Sequence, residues 1–121
     1  IRTLCSSCKE KHPVSDTDMA FIRRQYSEEY IDELNLPDNL EIYRAKGCDD
    51  CGDTGYRGRT GVHELLGMTP ALRSLVYKEA SVAEMKAQAM QDGMRNLIQD
   101  AIYKVIKGDT DLALVQIVGG D

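Results

Sequence analysis

What the sequence lacks narrows it quickly. No apolar run approaches the ~18 residues that a membrane-spanning helix requires, and no secretory leader opens the chain. There is no basic surplus. Fifteen Lys plus Arg stand against twenty Asp plus Glu, a formal charge of −5 that argues against bulk nucleic-acid binding. Aromatic residues make up only 6% of the chain, too few beside its arginines to offer bases a stacking platform. Nowhere does Gly-x-x-x-x-Gly-Lys-Ser/Thr occur, so the backbone cradle for a nucleotide's phosphates is missing. There is also no initiator methionine. The chain starts at Ile1 and meets its first cysteine at position 5, so it is expected to be a piece of a longer protein. Its 121 residues hold one domain or two small lobes and can bury roughly two-thirds of their unfolded surface.

What is present centres on cysteine. The four cysteines, Cys5, Cys8, Cys48 and Cys51, form two Cys-x-x-Cys knuckles separated by the 39 residues from Lys9 to Gly47. One knuckle lets two thiolates converge on a cation, and two complete a tetrahedron. Zinc favours that geometry because its filled d shell prefers no other. Four cysteine ligands leave no position open for water, so the site is structural rather than catalytic. Four thiolates around a divalent ion add −2 and take the net charge from −5 to about −7. Lys9, Lys11, Arg44 and Lys46 flank the knuckles and either offset that charge or are simply solvated. Disulfides in any of three pairings, or iron held as in rubredoxin, use the same four residues and stay open. A thioredoxin-like pair is disfavoured, because Cys51 runs into the turn-forming Gly52-Asp53-Thr54-Gly55 instead of a helix.

Neither histidine stands near a recognisable nucleophile. His12 lies four residues past Cys8 and is an alternative ligand that four cysteines make unnecessary. His63 sits in the run Thr60–Leu66, which reads as a strand with mixed faces. Gly47, Gly52, Gly55, Gly58 and Gly61 supply the tight turns that knuckles need. Between them Arg57 and Arg59 are candidates for a phosphate or a partner's carboxylates, with surface or interface arginines favoured over nucleotide ligands.

The remainder reads as mainly helical with short strands. Ser15 caps a helix over 16–25 with Met19, Ile22 and Tyr26 on one face. A second helix is predicted over 28–34, stopped by Pro37, and a strand over 41–46 feeds the second knuckle. Thr69-Pro70 opens a helix with Leu72, Leu75 and Val76 inward. The capping box Ser81-x-x-Glu84 opens another that Gly93 closes. Met94, Leu97, Ile98, Ala101, Ile102, Val105 and Ile106 form an apolar stripe ended by Gly108, and Thr110 caps a last helix to about Val118. The expected architecture is a tetracysteine zinc-binding lobe with a helical insert, followed by a C-terminal helical subdomain.

Several stretches together resemble one family. They are Arg2-Thr3-Leu4-Cys5-x-x-Cys8, then Gly47-Cys48-x-x-Cys51 leading through Gly55-Tyr56-Arg57-Gly58-Arg59-Thr60-Gly61 to Glu64-Leu65-Leu66, and finally Gly93-Met94-Arg95, Asp100, Lys104-Val105 and Gly108. The pattern, from residue 1 to about 118, is similar to the C-terminal region of the ATPases that power type II secretion and type IV pilus assembly. His63 before Glu64 leans toward the type II branch. The chain departs from the family at Asn96, at Ala101 and in the apolar Thr110–Val115 stretch.

The resemblance implies a hexameric cytoplasmic motor, peripheral to the bacterial inner membrane, whose RecA-like core binds ATP and Mg upstream of this segment. It implies that residues 1–4 end that core, 5–66 form a zinc-binding lobe with Cys5, Cys8, Cys48 and Cys51 as ligands, and 67–121 form a helical subdomain. It implies no catalysis by this segment, contacts with inner-membrane platform and recruitment proteins and with neighbouring subunits, no nucleic acid and no membrane insertion. The alternatives are a nucleic-acid-binding zinc ribbon and a zinc module of Hsp40-type chaperones, of which only one imperfect motif copy is present.

Overall fold

The computed structural model describes residues 1–62 and 69–119, and in them four short strands and five helices follow one another along the chain. The order is β1 (Arg2–Leu4), β2 (Glu10–Pro13), α1 (Asp16–Tyr26), β3 (Glu41–Arg44), β4 (Tyr56–Arg59), α2 (Pro70–Tyr77), α3 (Val82–Gln91), α4 (Leu97–Lys107) and α5 (Leu112–Gly119). The mainly helical expectation agrees with this order. The chain divides into two compact units, one spanning Ile1–Val62 and Ile98–Asp121, the other His63–Leu97. The expected boundary after residue 66 and His63 itself lie outside the described residues.

In the first unit, β2 and β3 pair antiparallel with Lys11 opposite Tyr43 and His12 opposite Ile42. β1 and β4 form a second antiparallel pair, Arg2 opposite Arg59 and Leu4 opposite Tyr56, with a register shift between them. Ser15 caps α1 as expected, its hydroxyl accepting from the Asp18 amide at 3.1 Å. Tyr26 and Ile22 are buried on α1 together with Phe21, which the periodicity did not single out. The helix predicted over 28–34 is only a 3-10 turn, Ile31–Leu34, closed by Asn35 in the left-handed region. Four residues make too few hydrogen bonds to sustain an α-helix, and burial of Ile31 holds the turn instead.

α4 carries the centre of the core. Ala101, Ile102 and Val105 pack with Phe21, Ile22, Tyr26, Ile31, Leu40 and Ile42, and with Leu112 and Val115 of α5. The apolar stripe is corrected at its start. Met94 precedes the helix, and Leu97 is 46% exposed while Gln99 is 1% exposed. At about 100° per residue, Leu97 and Gln99 sit on opposite shoulders of the stripe centred on Ile98, Ala101, Ile102 and Val105. The structure buries the glutamine shoulder because the amide there has a partner, Nε2 donating to the Tyr26 carbonyl.

Helix α5 corrects the expected cap. Thr110 is fully buried, and its hydroxyl donates to the Arg2 carbonyl at 2.9 Å. The cap is Asp111, whose Oδ1 accepts from the Leu114 amide at 3.1 Å, an anion placed at the positive end of the helix. The predicted strands also shift. The 41–46 strand stops at Arg44, and residues 60–62 of the Thr60–Leu66 run lie after β4, the rest being outside the described residues. β4 has no apolar alternation of its own. It exists because β1 supplies a partner ladder, which local pattern does not reveal.

The second unit holds the helix pair α2–α3. Thr69 accepts from the Leu72 amide and Ser81 from that of Glu84, both at 3.1 Å, so both caps form as expected. Among its described residues Leu72 and Ala89 are the buried side chains, whereas Val76, expected inward, is 45% exposed. An eight-residue helix packing through Leu72 leaves the residue one turn on at the edge of its contact face.

The α4 assignment predicts a contrast. Ile102→Ala, at a site with no exposure, should cost about 2–5 kcal/mol in chemical denaturation. Leu97→Ala should stay within about 0.5 kcal/mol. Equal losses would contradict the helix orientation.

Candidate metal centre

The first knuckle is the direct continuation of β1. Leu4 and Cys5 are both buried, and the chain turns at once, the Cys8 and Lys9 amides returning to the Cys5 carbonyl at 3.3 and 3.0 Å. The second knuckle is a 3-10 turn, Asp49–Cys51, in which the Cys51 and Asp53 amides donate to the Cys48 carbonyl at 3.3 and 2.8 Å. What unites them is the β1–β4 pairing, which the Cys5 amide extends by donating to the Gly55 carbonyl at 2.9 Å. The 39-residue insert therefore leaves and returns at one place.

All four Sγ atoms lie within 4.8 Å of one another. Cys5 and Cys48 are 3.8 Å apart, Cys8 and Cys51 3.9 Å, and Cys48 and Cys51 3.7 Å. Thiolates bound at about 2.3 Å to a tetrahedral zinc would stand about 3.8 Å from one another, so the donor set fits such an ion. A disulfide needs about 2.05 Å, and all four cysteines are free. Backbone amides point at the sulfurs as they would at anions. Gly47 N–H donates to Cys8 Sγ at 3.3 Å, and the Cys48 and Gly55 amides donate to Cys51 Sγ at 3.2 Å each. Among the described residues this is the one cluster of three or more metal-ligating side chains.

The protons of the metal-free cluster are distributed unevenly. Burial, with the hydrogen bond to Cys8, pushes the Cys48 thiol up to about 12. Burial also acts to raise Cys51, but the amides of Cys48 and Gly55 outweigh it and bring that thiol down to about 6. Gly55 is irreplaceable in this arrangement. Its φ is +85°, and a Cβ there would stand 2.6 Å from the Ala45 Cβ.

The flanking cations are committed elsewhere. Lys9 donates to the Gly108 carbonyl at 2.9 Å and lies 4.3 Å over the Tyr43 ring. Lys11 is 5.7 Å from the same ring. Arg44 and Lys46 both reach Glu10, at 3.8 and 3.6 Å. His12 lies on β2, with Nδ1 at 3.0 Å from the Pro13 carbonyl, outside the sulfur cluster. Arg57 and Arg59 are exposed on β4. The sequence reading missed Tyr56 and Asp111, whose hydroxyl and carboxylate meet across 55 residues. Burial and that carboxylate push the Tyr56 phenol up to about 12, so it stays a neutral donor. No local signal marks such a pair.

Two outcomes follow from this geometry. In the metal-free chain at pH 7, limited iodoacetamide treatment read by peptide mass spectrometry should label Cys51 well before Cys48, since only the former is then mostly thiolate. Equal labelling would mean that the amides do not tune Cys51. Gly55→Ala should lower the melting temperature and abolish the labelling difference, because its strained backbone withdraws a sulfur-directed amide.

Comparison with known proteins shows the family of the chain. Residues 1–117 match the model of the family described as type II/IV secretion system protein. The chain is 35% identical over 122 residues to the type II secretion system ATPase E of Vibrio cholerae, covering 98% of this chain and 21% of that protein. It is 32% identical over 120 residues to the type IV pilus assembly ATPase PilB of Pseudomonas aeruginosa, covering 99% and 20%. It is 30% identical over 112 residues to the type II secretion system protein E of Aeromonas hydrophila, covering 93% and 20%. The chain thus spans about a fifth of the length of these relatives. With nearly its whole length matched, cysteine knuckles included, the chain belongs to the type II/IV secretion system protein family.

Proposed function

We propose that this chain is the metal-bearing C-terminal part of a hexameric ATPase that powers type II secretion or type IV pilus assembly. Cys5, Cys8, Cys48 and Cys51 hold one structural zinc ion in this reading, and the segment catalyses nothing by itself. The observation that carries the metal assignment is the meeting of four sulfurs within 4.8 Å, two from each end of a 39-residue insert. Zinc would supply a cross-link there, and four protein ligands would leave it no position for a substrate.

The protein's own groups do the rest. Amides of Gly47, Cys48 and Gly55 orient and stabilise the thiolates, and the buried side chain of Cys5 shields one edge from water. Residues 1–4 continue from an upstream ATPase core that binds ATP and Mg. Residues 5–66 make the lobe, and 67–121 supply helices, of which α4 and α5 complete the lobe's core. The exposed Arg57 and Arg59 offer a charged face to a neighbouring subunit or to the inner-membrane platform and recruitment proteins, at the cytoplasmic side of the membrane. Among the described residues no helix is long and apolar enough to cross a membrane. Relatives of both branches match at 30–35% identity, so the reading covers secretion and pilus assembly alike.

Elemental analysis of chain purified without added metal or chelator should find about one zinc per chain. Cys5→Ser or Cys48→Ser should lose it, lower the thermal midpoint and, placed in the intact motor, stop export or piliation. Full export by a zinc-free variant would refute the structural role, and iron in zinc-replete cells would refute the choice of ion.

A further inference from the structure

Four consecutive residues at the corner between α4 and α5 reach both knuckles. α4 ends in a Schellman motif, the Gly108 amide donating to the Val105 carbonyl at 3.0 Å and the Asp109 amide to that of Lys104 at 2.9 Å. Gly108 adopts φ +89°, and a Cβ there would lie 2.9 Å from the Tyr43 ring, so the corner sits hard against β3. The Gly108 carbonyl, freed from the helix, accepts from Lys9 Nζ at 2.9 Å, one residue beyond Cys8. The Asp109 carbonyl accepts from the Leu4 amide at 2.8 Å, one residue before Cys5. Thr110 donates its hydroxyl to the Arg2 carbonyl at 2.9 Å. Asp111 uses one oxygen to cap α5 and the other to accept from Tyr56, next to the Gly55 whose amide points at Cys51 Sγ.

The first knuckle is thus held on both sides and the second through Tyr56, all by one turn of chain that lies 99–108 residues downstream of the first knuckle's partners and 55 downstream of Tyr56. Thr110 and Asp111 are buried, so the bonds their side chains make are partly shielded from water. From this juxtaposition we infer that Gly108–Asp111 form a clasp that positions the two cysteine knuckles, so that metal occupancy and the docking of α5 are energetically coupled. The inference rests on the zinc reading above. Coupling is reciprocal: whatever the clasp adds to metal affinity, the metal adds to the docking of α5. Thr110 and Tyr56 are positioning residues here, acting on the cysteines through the backbone.

The test uses the 121-residue chain and zinc alone. Affinity is measured by competition with a chromophoric chelator for wild type, Thr110→Val, Thr110→Ser and Tyr56→Phe. A core variant, Ile22→Val, chosen for a similar loss of stability, serves as the comparison. Thr110→Val and Tyr56→Phe should weaken zinc binding roughly three- to tenfold, the size of one lost hydrogen bond. Thr110→Ser should restore it, and Ile22→Val should not weaken it comparably. In hydrogen exchange, zinc should slow the α5 amides of wild type, and less so in Thr110→Val. If zinc binds but the clasp variants keep wild-type affinity, or Ile22→Val weakens it equally, the clasp is refuted and the metal site stands. If wild type binds no zinc, the metal reading falls and the clasp with it.

Discussion

Four thiolates crowded within 4.8 Å repel one another and lose hydration together, so their convergence is tolerable only with protons or a cation between them. The rest of the first unit is arranged around this constraint. The β1–β4 pairing brings residues 5 and 55 side by side, and around the second knuckle the amides of Gly47, Cys48 and Gly55 turn toward sulfur. Protons make a poor solution. They leave one thiol near 12 and another near 6, an uneven set that a single divalent ion would replace with four equivalent bonds.

The knuckles were legible because their chemistry is local: two Cys-x-x-Cys spacings and a run of glycines state the turn geometry directly. The capped helices α1, α2 and α3 were legible for the same reason, each announcing itself by Ser15, Thr69 or Ser81. What escaped the sequence reading was decided by distant partners. Leu97 and Gln99 are equivalent shoulders of one stripe, and only the carbonyl of Tyr26, 73 residues away, selects the glutamine for burial. Thr110 looks like a cap by type, but Arg2 claims its hydroxyl and Asp111 takes the role. β4 carries two arginines and a glycine in four residues, and no propensity would make it a strand without β1.

The chain belongs to the type II/IV secretion system protein family while covering about a fifth of its relatives' length. The first unit has a hydrophobic core that runs from Phe21 to Val115, and the four sulfurs cluster within 4.8 Å of one another.

The 39 residues between the knuckles have a bearing on how such a part changes over evolutionary time. Joining the two ends of that segment restricts the unfolded chain as a cross-link would, and the entropy involved grows only with the logarithm of the segment's length. Doubling the insert would alter closure by about 0.6 kcal/mol, less than one buried methylene group contributes. The anchor is therefore nearly blind to what it anchors. Residues can be added to or trimmed from the exposed turns of the insert, away from the Phe21, Ile22 and Tyr26 that α1 gives the core, while the cysteines and their turns stay as they are.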